Sequence, residues 1–598
     1  MRKIAKTLTA VLLSMLLLLT AAACGGTKPD NPDNPDNPDN PEGKSATINV
    51  YTTVNIIEQR ALQAVANAYM DMQYEKGNDV TVIINNDTDP TSYISTVRNM
   101  ISTGVRNATI VTTSVAPEYY GTDRFVELAG YLEDPNPYIE GNRAWMDALE
   151  PDAYRAELVG ATSTIPGLSY SSNYATVFYN KQAMLDVIGA DDPVVGEDGT
   201  LDNSQITWSW LMSALEKAKN SGQNFSYPLG LSTSSQSCGE DAFTMLTQII
   251  NMYLDQYFRD FIDEVHSVEG DYSYVDSIDG NWVYDPNDEA IDAVGSYTYN
   301  INKVIDKFFN QSEYGPLSER YSEMMSNLYA LTRYCDPEAS YHDTFSRFNE
   351  TTLVHTGKVA SGTYTDKKLF YVEALTYVRT YRDAFKTTGS GGAVIYPDAD
   401  TITSELGWFV LPAMDSDLPG VADNVRAFGG PNEHMGIINA GSEQNEWAID
   451  FMQYLFSPTG QAAIYSTYVG ENNAPVVMRQ LVKNVEIPSA IDYSDVLDIS
   501  GDCTASPYLI FGKGSGLSTI KIGTTNTYVK DQVSNAFSSY FRGSNSDWVG
   551  SGYAANVFDA IKGGFVNYAA ERNFIYTDYS KVAEATNNLV NSPYNTSN

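Results

Sequence analysis

The chain has 598 residues, 43% of them hydrophobic, with 75 acidic residues against 37 Lys and Arg and a formal net charge of −38. That length is ample for two large domains with a sizeable core. The charge argues against nucleic acid and against adhesion to anionic lipid, since both require clustered Lys and Arg. A solvated acidic surface suits an exported soluble domain.

The chain starts with Arg2, Lys3 and Lys6, followed by the apolar run Val11 to Leu19 and then Thr20-Ala21-Ala22-Ala23-Cys24-Gly25-Gly26. The run is too short, and too closely followed by polar sequence, for a good transmembrane helix. It reads as a secretory signal ending at a cysteine. Small residues before a cysteine resemble the lipobox of bacterial lipoproteins, with Ala21 where that motif usually has Leu. The resemblance implies that residues 1–23 are removed and that Cys24 becomes a lipidated first residue, anchoring the protein at the extracellular face of the cell membrane. Ordinary secretion with Cys24 incidental is the other reading. From Pro29 to Pro41, Pro-Asp-Asn repeats with a period of three. Proline fixes φ and the aspartates repel one another, so residues 24–45 are expected to form an extended, disordered tether.

The folded body begins near Ala46. Thr47 to Thr52 is strand-like. Asn55 reads as an N-cap with Glu58 three residues on. Leu62, Val65, Tyr69 and Met72 then make one apolar helix face, which Gly77 closes. Val80 to Ile84 is a continuous apolar strand, as expected when both sheet faces are covered. Ile94, Val97 and Ile101 mark a second helix ending at Gly104, and Thr109 to Thr113 a third strand. The alternation predicts an α/β domain with a mostly parallel sheet. Ligands of such sheets sit beyond the carboxyl ends of the strands. That places Thr53, Asn55, Asn86, Asp87, Thr113 and Ser114 near a potential site, although each also suits turn or cap chemistry.

Beyond Cys24, the cysteines are Cys238, Cys335 and Cys503; the histidines are His266, His342, His355 and His434. None has metal-ligand spacing, so no metal or cofactor is expected, and buried free thiols are favoured over one unassignable disulfide. The acidic runs at Asp276, Asp279 and Asp285 and at Asp398 and Asp400 lack EF-hand spacing and read as solvated loops. No Gly-x-Ser-x-Gly, HExxH or phosphate-loop motif occurs; Gly512 to Gly516 reads as a turn.

Pro166, then Phe178-Tyr179-Asn180-Lys181, then Thr207-Trp208 at the head of a helix resemble the bacterial extracellular solute-binding proteins typified by maltose-binding protein. Gly357 to Tyr364, Gly407 to Pro412, Phe428-Gly429-Gly430, and the helix Glu446 to Phe456 with Ser457-Pro458 and Gly460-Gln461 continue the resemblance in order, from about Ala46 to Pro475. Three positions depart from the family pattern: Ala108-Thr109 opens the third strand without an aspartate, Trp210 stands for a glutamate, and Ser361 for a methionine.

The resemblance implies an α/β, two-lobed periplasmic-binding-protein-like fold with a hinge and an inter-lobe cleft. On this reading the first lobe is 46–165, completed by about 412–450. The second is 166–411, with an enlarged segment at about 240–345, completed by about 451–598. Hinge crossings are expected near Pro166 to Tyr170 and near Trp408 to Ala413. The implied activity is not enzymatic. The protein would capture a small solute, foremost a carbohydrate or oligosaccharide, and deliver it as a monomer to ABC permease subunits, with no nucleic-acid partner. Candidate ligand contacts are Thr53, Asn55, Asp87, Tyr170, Asn173, Tyr364, Gly430, Asn432 and Asn473. Tyr364 could stack on a sugar ring, and core packing is an equal reading for it. Trp145, Trp208 and Trp447 read as packing residues. A surface-anchored glycan-active enzyme, or an adhesin that kept the fold, is the alternative.

Overall fold

The computed structural model describes residues 44–231, 245–284, 313–337, 346–349, 366–491, 505–511 and 540–560, apart from single residues and pairs within these spans, together with 300, 303 and 307. Residues 1–43, which include the expected signal, Cys24 and the Pro-Asp-Asn repeat, lie outside the described residues, as do Tyr364, Cys238 and Cys503.

The first lobe is built on strands β1 (Ser45–Thr52), β2 (Asp79–Asn86) and β3 (Ala108–Thr112), with helices α1 (Ile56–Glu75) and α2 (Pro90–Thr103) between them. Asn55 caps α1, its side-chain oxygen accepting from the amides of Ile57 and Glu58 at 3.0 and 3.1 Å. Gly77, at φ +84°, follows the last turn in the left-handed region that glycine tolerates. Asp89 caps α2, and Pro90 occupies its first turn.

The second lobe follows with β4 (Ser171–Asn180), α3 (Trp208–Asn220), β5 (Leu229–Gly230), α4 (Met245–Phe258), α5 (Glu319–Thr332), β6 (Phe370–Ala374), α6 (Tyr377–Ala384), β7 (Leu406–Phe409) and β8 (Val425–Asn432). The chain then returns to the first sheet as β9 (Met435–Ile438), α7 (Ser442–Leu455) and α8 (Pro458–Gly470). It ends among the described strands with β10 (Arg479–Gln480) and β11 (Ala505–Phe511), both in the second sheet.

The first sheet runs β9-β3-β1-β2. β1 is parallel to β2 and to β3, whereas β9 is antiparallel to β3. One face packs Ile48, Val50, Val82 and Ile110 against Leu62, Val65 and Tyr69 of α1 and against Ala448 and Met452 of α7. The other face packs Val111 and Ile438 against Tyr93, Val97 and Ile101 of α2. Expected coverage of both faces does not extend to β2. This edge strand alternates between buried Val80 and Val82 and outward Thr81 and Ile83, the last being 42% exposed. Its apolar run thus belongs to a strand with one covered face.

The second sheet runs β11-β8-β4-β6-β5, with β7 and β10 also paired to β4. One face is covered by α4, where Tyr253 packs edge-on against Trp208 at 5.6 Å. The opposite face carries Phe178, Tyr371 and Trp408 against Tyr377 and Tyr381 of α6. Trp145 and Trp208 are buried, and Trp447 is partly buried against the core. Cys335 is a buried free thiol. Among the described residues no helix is long and apolar enough to cross a membrane.

The main chain passes between the sheets three times among the described residues. The first passage is Ile165 to Tyr170: Leu128 N–H donates to Ile165 in the first lobe, and β4 begins one residue after Tyr170. The second lies between Asn432 of β8 and Met435 of β9. The third leads from α8 to β10. The first two run antiparallel and adjacent, with Leu168 and Met435 exchanging both amide hydrogen bonds at 2.7 and 2.8 Å. The third joins them where Leu481 N–H donates to Tyr170 at 2.9 Å and β10 pairs with Ser171 and Ser172.

The second passage therefore differs from the expected site at Trp408 to Ala413. β7 is antiparallel to β4, with Leu406 opposite Asn180 and Phe409 opposite Val177, which holds Trp408 within the second sheet. The ten-residue β4 has room for both β7 and β8 along its length, so the chain does not leave until β8 is complete. Residues 451–470, expected in the second lobe, pack on the first: α7 lies on β3 and β1, and α8 lies along α1.

Candidate functional site

The carboxyl ends of β1, β2 and β3 form one edge of the candidate site. In the parallel register Thr52 stands beside Asn86, so Thr53 and Asp87 leave the sheet side by side. The Asn86 side chain clamps this corner, accepting from Val54 N–H and donating to Val54 carbonyl oxygen, both at 2.9 Å. Asp87 donates its amide to Thr52 at 2.9 Å and accepts from Asp89 N–H at 3.0 Å. Hydrogen bonds from the Asp89 amide and the Ser92 side chain hold the Asp87 carboxyl below its ordinary pKa, keeping it anionic. Beyond β3, Thr113 is buried; its Oγ1 is 2.7 Å from His434 Nδ1, and Tyr120 donates to the same oxygen at 3.3 Å.

The second edge is the start of β4 with the turn after β6. Asn173 accepts from Leu375 N–H at 2.9 Å, and its Nδ2 reaches Thr376 Oγ1 at 3.5 Å. Gly430 stands opposite Asn173, and Asn432 opposite Ser171. The antiparallel ladder thus brings three candidates, Asn173, Gly430 and Asn432, to one end of the second sheet.

Two candidates fall outside these edges. Tyr170 is 5% exposed and packs edge-on against Phe456 at 5.9 Å. Its ring serves the core beneath the crossing strands, because the residue before β4 is already inside the packed crossing. Asn473 is exposed, at φ +55°, in the third passage, where its amide closes the end of α8 on Val469 at 3.1 Å. Asn55 lies at the first edge with its side-chain oxygen committed to capping α1. Tyr364 is outside the described residues.

One residue not singled out from sequence connects the two edges. Arg379, on α6 of the second lobe, places Nη1 3.0 Å from Glu58 Oε1 on α1 of the first. Its Nε donates to Pro475 carbonyl oxygen at 3.1 Å, and its guanidinium lies 5.0 Å from the centre of the Tyr468 ring on α8. Both charged side chains are 14% exposed. Burial pulls the guanidinium pKa down, but Tyr468 and Glu58 outweigh it, and the net direction is upward. A tyrosine-flanked arginine in an amphipathic helix, Tyr377-Val378-Arg379-Thr380-Tyr381, was its only sequence signal.

A separate hollow of about 680 Å³ lies at the amino ends of the first-sheet strands, lined by Lys44, Asn78, Tyr131, Glu446, Trp447 and Asp450 among others. Asp450 is held there by Tyr69 Oη at 2.6 Å, Gln73 Nε2 at 2.8 Å and Tyr138 Oη at 2.9 Å. Burial, reinforced by that carboxylate, raises the pKa of both phenols. The arrangement ties α7 to α1 and stands at the far end of the sheet from the two edges. Among the described residues no group of three or more His, Cys, Asp or Glu could hold a metal ion.

No family model matches the chain, and no curated protein does. Solved structures do align with it. A chitin oligosaccharide binding protein aligns at 11% identity and a TM-score of 0.47, over 87% of this chain and 100% of its own. The cyclic alpha-maltosyl-1,6-maltose binding protein from Arthrobacter globiformis aligns at 12% identity and 0.47, over 86% and 99%. An extracellular solute-binding protein family 1 from Alicyclobacillus acidocaldarius aligns at 11% identity and 0.43, over 88% and 100%.

Proposed function

We propose that the chain is an extracellular solute-binding protein, anchored through lipid on Cys24, that closes its two lobes over a small polar solute and releases it unchanged to an ABC permease. The observation that carries this reading is the hinge: three adjoining main-chain passages join two sheets whose polar ends approach one another. Such a joint allows ligand contacts on both lobes to become a shift between open and closed populations. Thr53 and Asp87 supply the first-lobe contacts, and Asn173 with the Gly430–Asn432 strand supplies the second. Hydroxyl-matching amide and carboxylate groups of this kind favour a carbohydrate or oligosaccharide. The Pro-Asp-Asn repeat would hold the lobes away from the bilayer.

A thermal-shift screen against mono- and oligosaccharides tests the proposal. A ligand that binds only the folded form stabilises it by about 2.7 kcal/mol at one hundred times its Kd. A raised melting temperature with the sugar recovered intact supports capture. Turnover of a labelled glycan would replace it with an enzyme. No response to any sugar, together with binding to another protein, would replace it with an adhesin.

A further inference from the structure

The Arg379–Glu58 contact joins elements that otherwise belong to different bodies. α6 packs into the second lobe through Tyr377, Val378 and Tyr381, which meet Phe178 and Tyr371 of that sheet. α1 and α8 pack into the first lobe through Leu62, Val65, Tyr69 and Ile464. Arg379 leaves its own lobe and finds three partners beyond it: the Glu58 carboxylate, the Pro475 carbonyl in the third passage, and the Tyr468 ring. A planar guanidinium suits this arrangement, because it can donate along two edges while stacking through its face. Glu58 is at the first turn of α1, at the carboxyl edge of the first sheet, so the pair bridges the two lobes beside the third passage.

We infer that Arg379 and Glu58 form a latch that biases the ligand-free hinge toward the closed state. The inference rests on the hinged, two-lobed reading above and adds a regulation of that site. Opening the lobes separates a largely buried charge pair and takes the guanidinium off both the carbonyl and the ring. The solute then completes a closure that the protein has already partly stabilised. Arg379 acts here as a positioning residue.

Small-angle scattering on the ligand-free protein tests the latch, with the curve fitted as a mixture of open and closed forms. Arg379→Met keeps the length and apolar stem of the side chain but removes its charge and donors. Glu58→Gln removes the charge from the other lobe. Each is expected to lower the closed-to-open ratio by roughly 5- to 150-fold, the range typical of coupling between sites, and to raise the radius of gyration. Arg379→Lys, which keeps charge without the fork, is expected to restore only part of the ratio. Wild-type scattering curves from both Arg379→Met and Glu58→Gln would overturn the latch. If Arg379→Met fails to fold, Glu58→Gln decides alone. A parallel sugar screen on the wild type separates the two ideas. A sugar response with unchanged variant scattering removes the latch and leaves solute capture. Variant opening with no sugar response keeps the latch and removes the carbohydrate reading.

Discussion

Gly167→Ala probes the crossing between the two sheets directly. A Cβ at this position would lie 2.8 Å from the Met435 carbonyl oxygen, 3.0 Å from Thr113 Oγ1 and 3.1 Å from His434 Nδ1. A comfortable carbon-to-oxygen approach is about 3.3–3.6 Å, so the two adjacent passages must part by roughly half an ångström or more. Neither neighbour yields easily. Met435 is held by paired amide bonds to Leu168, and Thr113 is fixed by His434 and Tyr120. Overpacking of this kind destabilises by about 1–3 kcal/mol. The lost backbone freedom of the unfolded chain returns about 0.4–1 kcal/mol, which leaves a net loss of roughly 0–2.6 kcal/mol, centred a little above 1 kcal/mol. Denaturant titration with fluorescence detection should show a lower midpoint at unchanged slope. Gly130→Ala is the control, since a Cβ there meets nothing within 4 Å. A Gly167→Ala protein as stable as wild type would refute the view that the crossing strands are held in close, fixed contact.

Asn55→Ala should lower stability by about 0.5–2 kcal/mol through loss of the α1 cap. Any sugar response should be changed less than by Asn173→Ala, and thermal melts with and without sugar separate the two effects. Cys335 should resist alkylation at pH 8. Burial pushes its thiol pKa up to about 12, so almost no thiolate exists in the folded state. Peptide mapping should find the residue labelled only after denaturation, and rapid labelling of the native protein would contradict its buried position.

Much of the first lobe was legible because its local signals agree with its packing. Asn55, the Leu62-Val65-Tyr69 face and Gly77 mark α1 from end to end, and all act in the structure as their chemistry suggests. Gly104 ends α2 likewise. Legibility failed where partners are distant in sequence. Nothing within Val80 to Ile84 reveals that it is an edge strand, because exposure of Ile83 depends on what α2 fails to cover. The second passage differs from its expected place because the apolar run of β7 continues to Leu411-Pro412, and only the register of β7 with β4 shows that the chain remains in the second lobe. At the candidate site, the placement of residues at the strand ends was readable from sheet topology, whereas that of Arg379 was not. Its contacts are with Glu58, Tyr468 and Pro475, which converge only in three dimensions.

The return of β9 to the first sheet also has a kinetic consequence. β3 is antiparallel to a strand that leaves the ribosome roughly 320 residues later, a delay on the order of tens of seconds at typical synthesis rates. Until α7 follows, the face of β1 and β3 that it shares with α1 lacks part of its cover. The nascent amino-terminal half is thus kept from premature completion by its own connectivity.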